Sequence, residues 1–137
     1  AISVSSSYGG NPMACAAALA SIEVMEEENI LDNVRAMGAL FMQRMQKMMQ
    51  EHPIIGDIKG KGLLLGLELV KDKTSKEPFV QAGERVYQKA FAKGLAWIPA
   101  GHILRMSPPL IIDEKFAMLG MDLIEESITE VEKEFGY

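Results

Sequence analysis

The spacing of apolar and polar positions predicts four helices along the chain. The first follows Asn11 and Pro12, because asparagine caps free backbone amides and proline tolerates the first helical position. The second and the last carry apolar residues at intervals of three and four positions, and Gly94 ends the third. The first helix is rich in small residues, and we therefore expect it to pack closely against other elements. The four predicted segments are residues 13–28, 30–50, 79–93 and those that follow the cap at Asp113.

A largely apolar run predicts a strand over residues 63–70, which presents four leucines on one face. The other face is also largely apolar, so Glu68 is a charged group in a buried strand and must find a partner. Residues 56–62 are rich in glycine and predict a strand that runs into a turn. Two further short strands are expected at residues 96–98 and 103–107. This order of elements predicts an α+β fold, with a small, mostly antiparallel sheet and helices packed on one side.

Composition limits the classes of function. The 137 residues fit one domain, and the net charge of −5 without any basic block argues against nucleic-acid binding. No apolar run approaches the roughly 20 residues that span a bilayer. The single cysteine, Cys15, is expected to be a small buried side chain and not a nucleophile. One cysteine without a disulfide partner favours a reducing compartment, and we expect a cytoplasmic protein.

Arg105 is the strongest candidate for chemistry. It lies within an apolar strand that ends at Pro108 and Pro109, where a guanidinium has to meet an anion or reach water. Its planar fork suits a carboxylate bound through two hydrogen bonds. The alternative is a structural ion pair, with Glu68 on a neighbouring strand as the candidate partner.

Two weaker candidates come from serines and histidines. Ser5, Ser6 and Ser7 precede a Gly-Gly turn at a helix start, which suits either a phosphate site or an ordinary turn. His52 and His102 have no carboxylate or cysteine at metal-ligand spacing, so we interpret them as surface histidines and expect no metal site.

Three segments resemble class III pyridoxal-phosphate aminotransferases. "SYGGNPMACAAALASIEVMEEENILDNVRAMG" is similar to the family's Thr-Phe/Tyr-Gly/Ser-Gly-Asn/His-Pro turn and the alanine-rich helix after it. "HPIIGDIKGKGLLLGLELVKD" resembles the strand pair usually written Val-Arg-Gly-x-Gly-Leu-Met-x-Gly-x-Glu-Leu. "ILRMSPPLIID" resembles the late Arg-x-x-Pro-x-Leu segment. The three motifs occur in the family's order and cover nearly the whole chain.

The resemblance implies roles for two residues. Ser7 stands where the family has a threonine that binds the phosphate of the partner subunit's pyridoxal phosphate (PLP). Arg105 stands where the family has an arginine that binds a substrate carboxylate. The family's Schiff-base lysine, its pyridine-binding aspartate and its stacking aromatic residue precede the matched region, so we expect no catalytic residue in this chain. Lys59 replaces a frequent arginine.

The resemblance also implies the architecture and the activity. We expect the C-terminal portion of a fold-type-I enzyme: residues 1–11 end the large cofactor domain, residues 12–50 form connecting helices, and residues 51–137 form the small α+β domain. The complete enzyme, a homodimer or higher homo-oligomer, would move an amino group from an amino acid, with 4-aminobutyrate or another ω-amino acid as first choice, to a 2-oxo acid. Ornithine, acetylornithine and dialkylglycine are further donors. The alternative is a stand-alone α+β interaction module without catalysis.

Overall fold

The computed structural model describes residues 6–137, which form four helices and three strands. The helical segments are numbered in chain order together with the strands. They are α1 (Pro12–Glu27), α2 (Ile30–Glu51), β1 (Ile55–Lys61), β2 (Leu64–Leu69), α3 (Val80–Ala92), β3 (Ile103–Met106) and α4 (Glu114–Phe135).

The three strands form one antiparallel sheet in the order β1-β2-β3, so β2 is central. Helices α2, α3 and α4 contribute to the core on one face of this sheet, and α2 and α3 both pack on α4. The predicted α+β fold with a small antiparallel sheet is therefore confirmed. Within the described part of the chain, no helix is both long and apolar enough to cross a membrane.

The core follows the alternation of β2. Its odd-numbered leucines face the helices, while Leu64 on the opposite face is exposed. Side chains of α2 and α4 at three- and four-residue spacing close the core from the other side. The buried residues that connect these layers are Phe41, Met45, Met48, Leu65, Leu67, Leu69, Val86, Leu104, Met121, Ile124 and Ile128.

The ends of the helices follow the predicted signals. The Asn11 side chain accepts a hydrogen bond from the Ala14 amide, and Asp113 caps α4 in the same way through Phe116. Gly94 has φ of +91° directly after α3, a backbone conformation that residues with a Cβ rarely adopt. The chain can therefore turn there into the segment that leads to β3.

Two predictions about the elements need correction. Residues 96–98 form no strand, and the isolated bridge between Ala100 and Ile103 lies beyond this segment. Proline at position 99 removes the amide that a paired strand would use next. Residues 56–62, predicted as a strand that runs into a turn, do form most of the edge strand β1 and the start of the turn after it.

The second correction concerns α1. No residue of this helix is buried among the described residues, and Cys15 is exposed instead of packed. The helix displays apolar side chains to solvent, including Met13 at 84% and Leu19 at 61% exposure. Its small residues predicted close packing, but within the described chain the main contact of α1 is with α2.

Candidate active site

The face of the sheet opposite the helices carries most of the candidate chemistry. Lys59 of β1, Gly66 of β2 and Arg105 of β3 are in register across the three strands. Paired residues of antiparallel strands present side chains to the same face, and residues two apart on a strand share that face. Asp57, Glu68 and Ile103 therefore lie on this face as well. We call it the open face.

Arg105 sits on the open face because its strand alternates. Leu104 and Met106 are buried on the core side, and Arg105 between them is exposed. Among residues 6–137 its guanidinium makes no hydrogen bond or ion pair. The predicted alternative, an ion pair with Glu68, is therefore not formed. Arg105 retains five donors for an anion that residues 6–137 do not supply.

A groove of about 600 Å³ lies beside Arg105, between the end of β3 and α4. Its walls are largely apolar, and Arg105 is the one charged residue among the described residues that line it. The wall residues include Trp97, Ile98, Ile112, Phe116 and Leu123. Apolar walls exclude water and strengthen a charged hydrogen bond at their edge.

Glu68 has partners other than Arg105. Lys59 donates a hydrogen bond from Nζ to Glu68 Oε2, and His102 Nε2 lies 3.4 Å from Glu68 Oε1. The hydrogen bond from Lys59, and to a smaller extent that from His102, lowers the pKa of Glu68 below its usual value. The expectation that the charged group in the central strand finds a partner is confirmed. The sequence did not predict His102 as a partner of Glu68, because the two residues are far apart in the chain and meet only in the folded sheet.

Ser7 is exposed in the turn that precedes α1. Asn11 closes this turn by donating a hydrogen bond from Nδ2 to the Tyr8 carbonyl at 2.8 Å. Ser7 is not among the described residues that line the groove of Arg105, so the structure does not bring the two predicted site residues together. Ser5 lies outside the described residues.

His52 is not a surface histidine, so that prediction is wrong. It is 8% exposed, and its Nδ1 lies 2.8 Å from Glu132 Oε2. Its Nε2 is 3.6 Å from Glu125 Oε1, and Glu125 also accepts a hydrogen bond from Arg44. Glu125 and Glu132 are two turns apart on one side of α4, but nothing in the sequence connects this spacing with His52. The group joins the C-terminal end of α2 to α4, and no set of residues suited to a metal ion occurs in the described part of the chain.

Comparison with known proteins gives the family. The model of the family described as "Aminotransferase class-III" matches residues 2–128. The chain therefore belongs to the class-III aminotransferase family, and the predicted resemblance is confirmed.

Individual relatives come from several organisms. The chain is 40% identical to adenosylmethionine-8-amino-7-oxononanoate aminotransferase of Methanocaldococcus jannaschii over 91% of its own length. It is 40% identical to a leucine/methionine racemase of Thermococcus litoralis and 38% identical to the 5-aminovalerate aminotransferase DavT of Pseudomonas putida, each over 90% of its length. The chain spans 28% to 30% of the lengths of these relatives.

The fold is also that of solved aminotransferases. An amine transaminase from an uncultivated Pseudomonas species, solved in its PLP-bound form, superposes with a TM-score of 0.86 and 30% identity. The match covers 95% of this chain and 30% of that chain. The small antiparallel sheet with its helices is thus one part of a larger aminotransferase architecture in that protein.

Proposed function

We propose that this chain serves as the C-terminal part of a PLP-dependent transaminase, which moves an amino group from an amino acid to a 2-oxo acid. The observation that carries the proposal is Arg105, an exposed guanidinium without a partner among the described residues, at the edge of an apolar groove. Such a group binds the carboxylate that both substrates of a transaminase carry. In this role Arg105 orients the substrate and holds no transferred proton.

PLP is the cofactor of the proposed enzyme, and when bound it accepts the amino group from one substrate and returns it to the other. Of the chemical groups of PLP, the phosphate is the one that residues of this chain are suited to bind. Ser7 offers an exposed hydroxyl donor in the turn before α1, and the free amides at a helix start favour an anion. We propose that Ser7 binds the phosphate of the cofactor held by the partner subunit, so the active enzyme is a homodimer or a higher homo-oligomer.

For the amino donor we propose an ω-amino acid such as 4-aminobutyrate. The similarity to a 5-aminovalerate aminotransferase supports this class, and the similarity to a leucine/methionine racemase supports α-amino acids instead. We also propose a cytoplasmic location, on the basis of a single cysteine in 137 residues. The proposed domain boundaries, at residues 11 and 50, come from the same family resemblance.

Kinetics of Arg105→Ala in the complete enzyme test the proposal. We expect a loss of about 2–4 kcal/mol in transition-state stabilisation, mostly as a higher KM for the carboxylate substrate, because charged hydrogen bonds disappear. An amine donor that has no carboxylate provides an internal reference, and its half-reaction should keep its rate. Arg35→Ala is the matched control, since Arg35 is 74% exposed and pairs with Asp32 on its own helix.

Two results would contradict the assignment. Unchanged KM for every carboxylate substrate in Arg105→Ala would remove Arg105 from the substrate site. Absence of any transaminase activity in the complete, PLP-loaded wild-type protein would favour the alternative of an interaction module, which the exposed apolar side chains of α1 also fit.

A further inference from the structure

We propose that Lys59 is a positioning residue of the substrate site: it holds Glu68 away from Arg105 and so keeps the guanidinium available for a substrate carboxylate. The inference rests on the proposed function and deepens it. It assigns a role to a residue that touches no part of the substrate. It also explains why an arginine and a glutamate on one small face of a sheet remain apart.

Glu68 is within reach of Arg105 by the geometry of the sheet. Glu68 is paired with Ile103, and Arg105 is two residues further along the same strand. The two side chains are thus diagonal neighbours on the open face, about 7–8 Å apart at the backbone, which long side chains bridge. Gly66, the residue directly opposite Arg105, has no side chain, and the Ile103 side chain borders this space, with Cγ2 3.4 Å from a Cβ built on Gly66. An ion pair between Glu68 and Arg105 is therefore within reach of two long side chains that pass beside Ile103.

The structure shows Glu68 bonded elsewhere. Its Oε2 accepts from Lys59 Nζ, and its Oε1 lies 3.4 Å from His102 Nε2, so both oxygens have partners other than Arg105. The Glu68 side chain is only 21% exposed, and a carboxylate with so little access to water is stabilised by a neighbouring cation. Lys59 provides a permanent positive charge, whereas a histidine is charged only when protonated.

Removal of Lys59 therefore leaves a half-buried carboxylate beside two remaining cations of the same face. Lys61 is paired with Leu64, four residues from Glu68 along β2, whereas Arg105 is a diagonal neighbour. We expect Glu68 to turn to Arg105 and to compete with the substrate carboxylate for the guanidinium. Competition of this kind raises the apparent dissociation constant by the inverse of the free fraction of Arg105.

The experiment uses Lys59→Met in the complete enzyme. We expect KM for the carboxylate substrate to rise roughly three- to tenfold with kcat unchanged. Lys59→Arg should restore the wild-type KM, because a guanidinium also binds Glu68. Adding Glu68→Gln to Lys59→Met should lower the KM again, because the competing charge is gone. Lys61→Met is the matched control on the same face and should leave KM unchanged.

A crystal structure of Lys59→Met gives the readout that does not depend on activity. A Glu68 carboxylate within 4 Å of the Arg105 guanidinium supports the inference, and a carboxylate that stays beside His102 overturns it. Kinetics separate this failure from that of the proposed function. If Arg105→Ala raises KM but Lys59→Met does not, the role of Lys59 is wrong and that of Arg105 stands. If Arg105→Ala itself changes nothing, the substrate assignment fails, and the role of Lys59 fails with it.

Discussion

Gly83 of α3 lies directly against the backbone of Gly101, in the turn that leads into β3. A Cβ built on Gly83 would stand 2.0 Å from the Gly101 carbonyl oxygen and 3.2 Å from the Cα of His102. This contact allows α3 to approach the turn and fixes where β3 begins. Arg105 is two residues beyond the first residue of β3. The backbone contact between α3 and the turn therefore helps to set the position of the guanidinium.

Gly83→Ala should destabilise the protein by about 1–3 kcal/mol. The added methyl group meets backbone atoms that cannot rotate away, and this cost exceeds the gain of up to about 1 kcal/mol from replacing a helical glycine. Urea denaturation of both proteins measures the difference. Gly120→Ala in α4 is the matched control, because its Cβ would meet nothing within 4 Å and the change should be neutral or stabilising. Equal stability of the two variants would disprove the packing argument.

Glu132→Ala should cost about 2–3 kcal/mol of folding free energy. The substitution leaves buried His52 without its 2.8 Å partner and removes the acceptor that lies 3.5 Å from the Ile54 amide. Glu132→Gln retains an acceptor and should lose less. Glu126→Ala serves as the control, since that side chain is 60% exposed and should change the stability by less than about 0.5 kcal/mol. A Glu132→Ala variant as stable as this control would show that the buried pair contributes nothing.

Acid should weaken the contact between α3 and α4. Hydrogen bonds from Lys93 at 2.6 Å and from Lys89 at 2.9 Å lower the pKa of Glu130 to about 2, from an ordinary value of 4.5. A depressed carboxyl pKa contributes stability above pH 4.5, and that contribution disappears as the pH falls from 4.5 towards 2. Because the side chain is 38% exposed, solvent and salt screen the effect.

Denaturation curves between pH 7 and pH 2 check this prediction. The stability difference between wild type and Glu130→Gln should be largest at neutral pH and low salt, and should become small as the pH approaches 2. The same substitution at exposed Glu23 of α1 is the control and should give a curve parallel to that of the wild type. A difference that is independent of pH would rule out a charged Glu130 as its source.

Ser7→Ala should weaken PLP binding roughly three- to tenfold in the complete enzyme, because one hydrogen bond to the phosphate is lost. Ser7→Thr keeps the hydroxyl and should bind like the wild type. Absorbance of the cofactor during dilution or dialysis measures its release. Ser6→Ala, at the preceding position, is the control; if both alanine variants lose cofactor at the same rate, Ser7 has no specific role.

The helices and the central strand could be predicted because their patterns repeat. The periods of α2, α4 and β2 each put apolar residues on one side, and the core formed there. β1 was harder to delimit, because glycines and lysines fill an edge strand that has one face in solvent. The segment 96–98 has strand-like composition, but composition does not supply a pairing partner.

The site was predictable in its single residues and not in its contacts. Arg105 stood out because an apolar strand contained one charge. The pair of His52 and Glu132 joins residues 80 positions apart, and no local pattern links them. Glu68 pairs with Lys59 and His102 and not with Arg105. This outcome depends on which side chains meet across the sheet, and predicting it requires the register of all three strands.

Register has a consequence for how this chain tolerates insertions and deletions. Shifting β3 by one residue against β2 would turn the guanidinium inward among leucines and expose both Leu104 and Met106. An insertion or deletion between Gly101 and Met106 should therefore abolish carboxylate recognition and stability together. The loop of residues 71–78 leads from β2 to α3 and takes no part in the pairing of β2 with β3. Changes in its length leave the arginine where it is, and engineered insertions belong there.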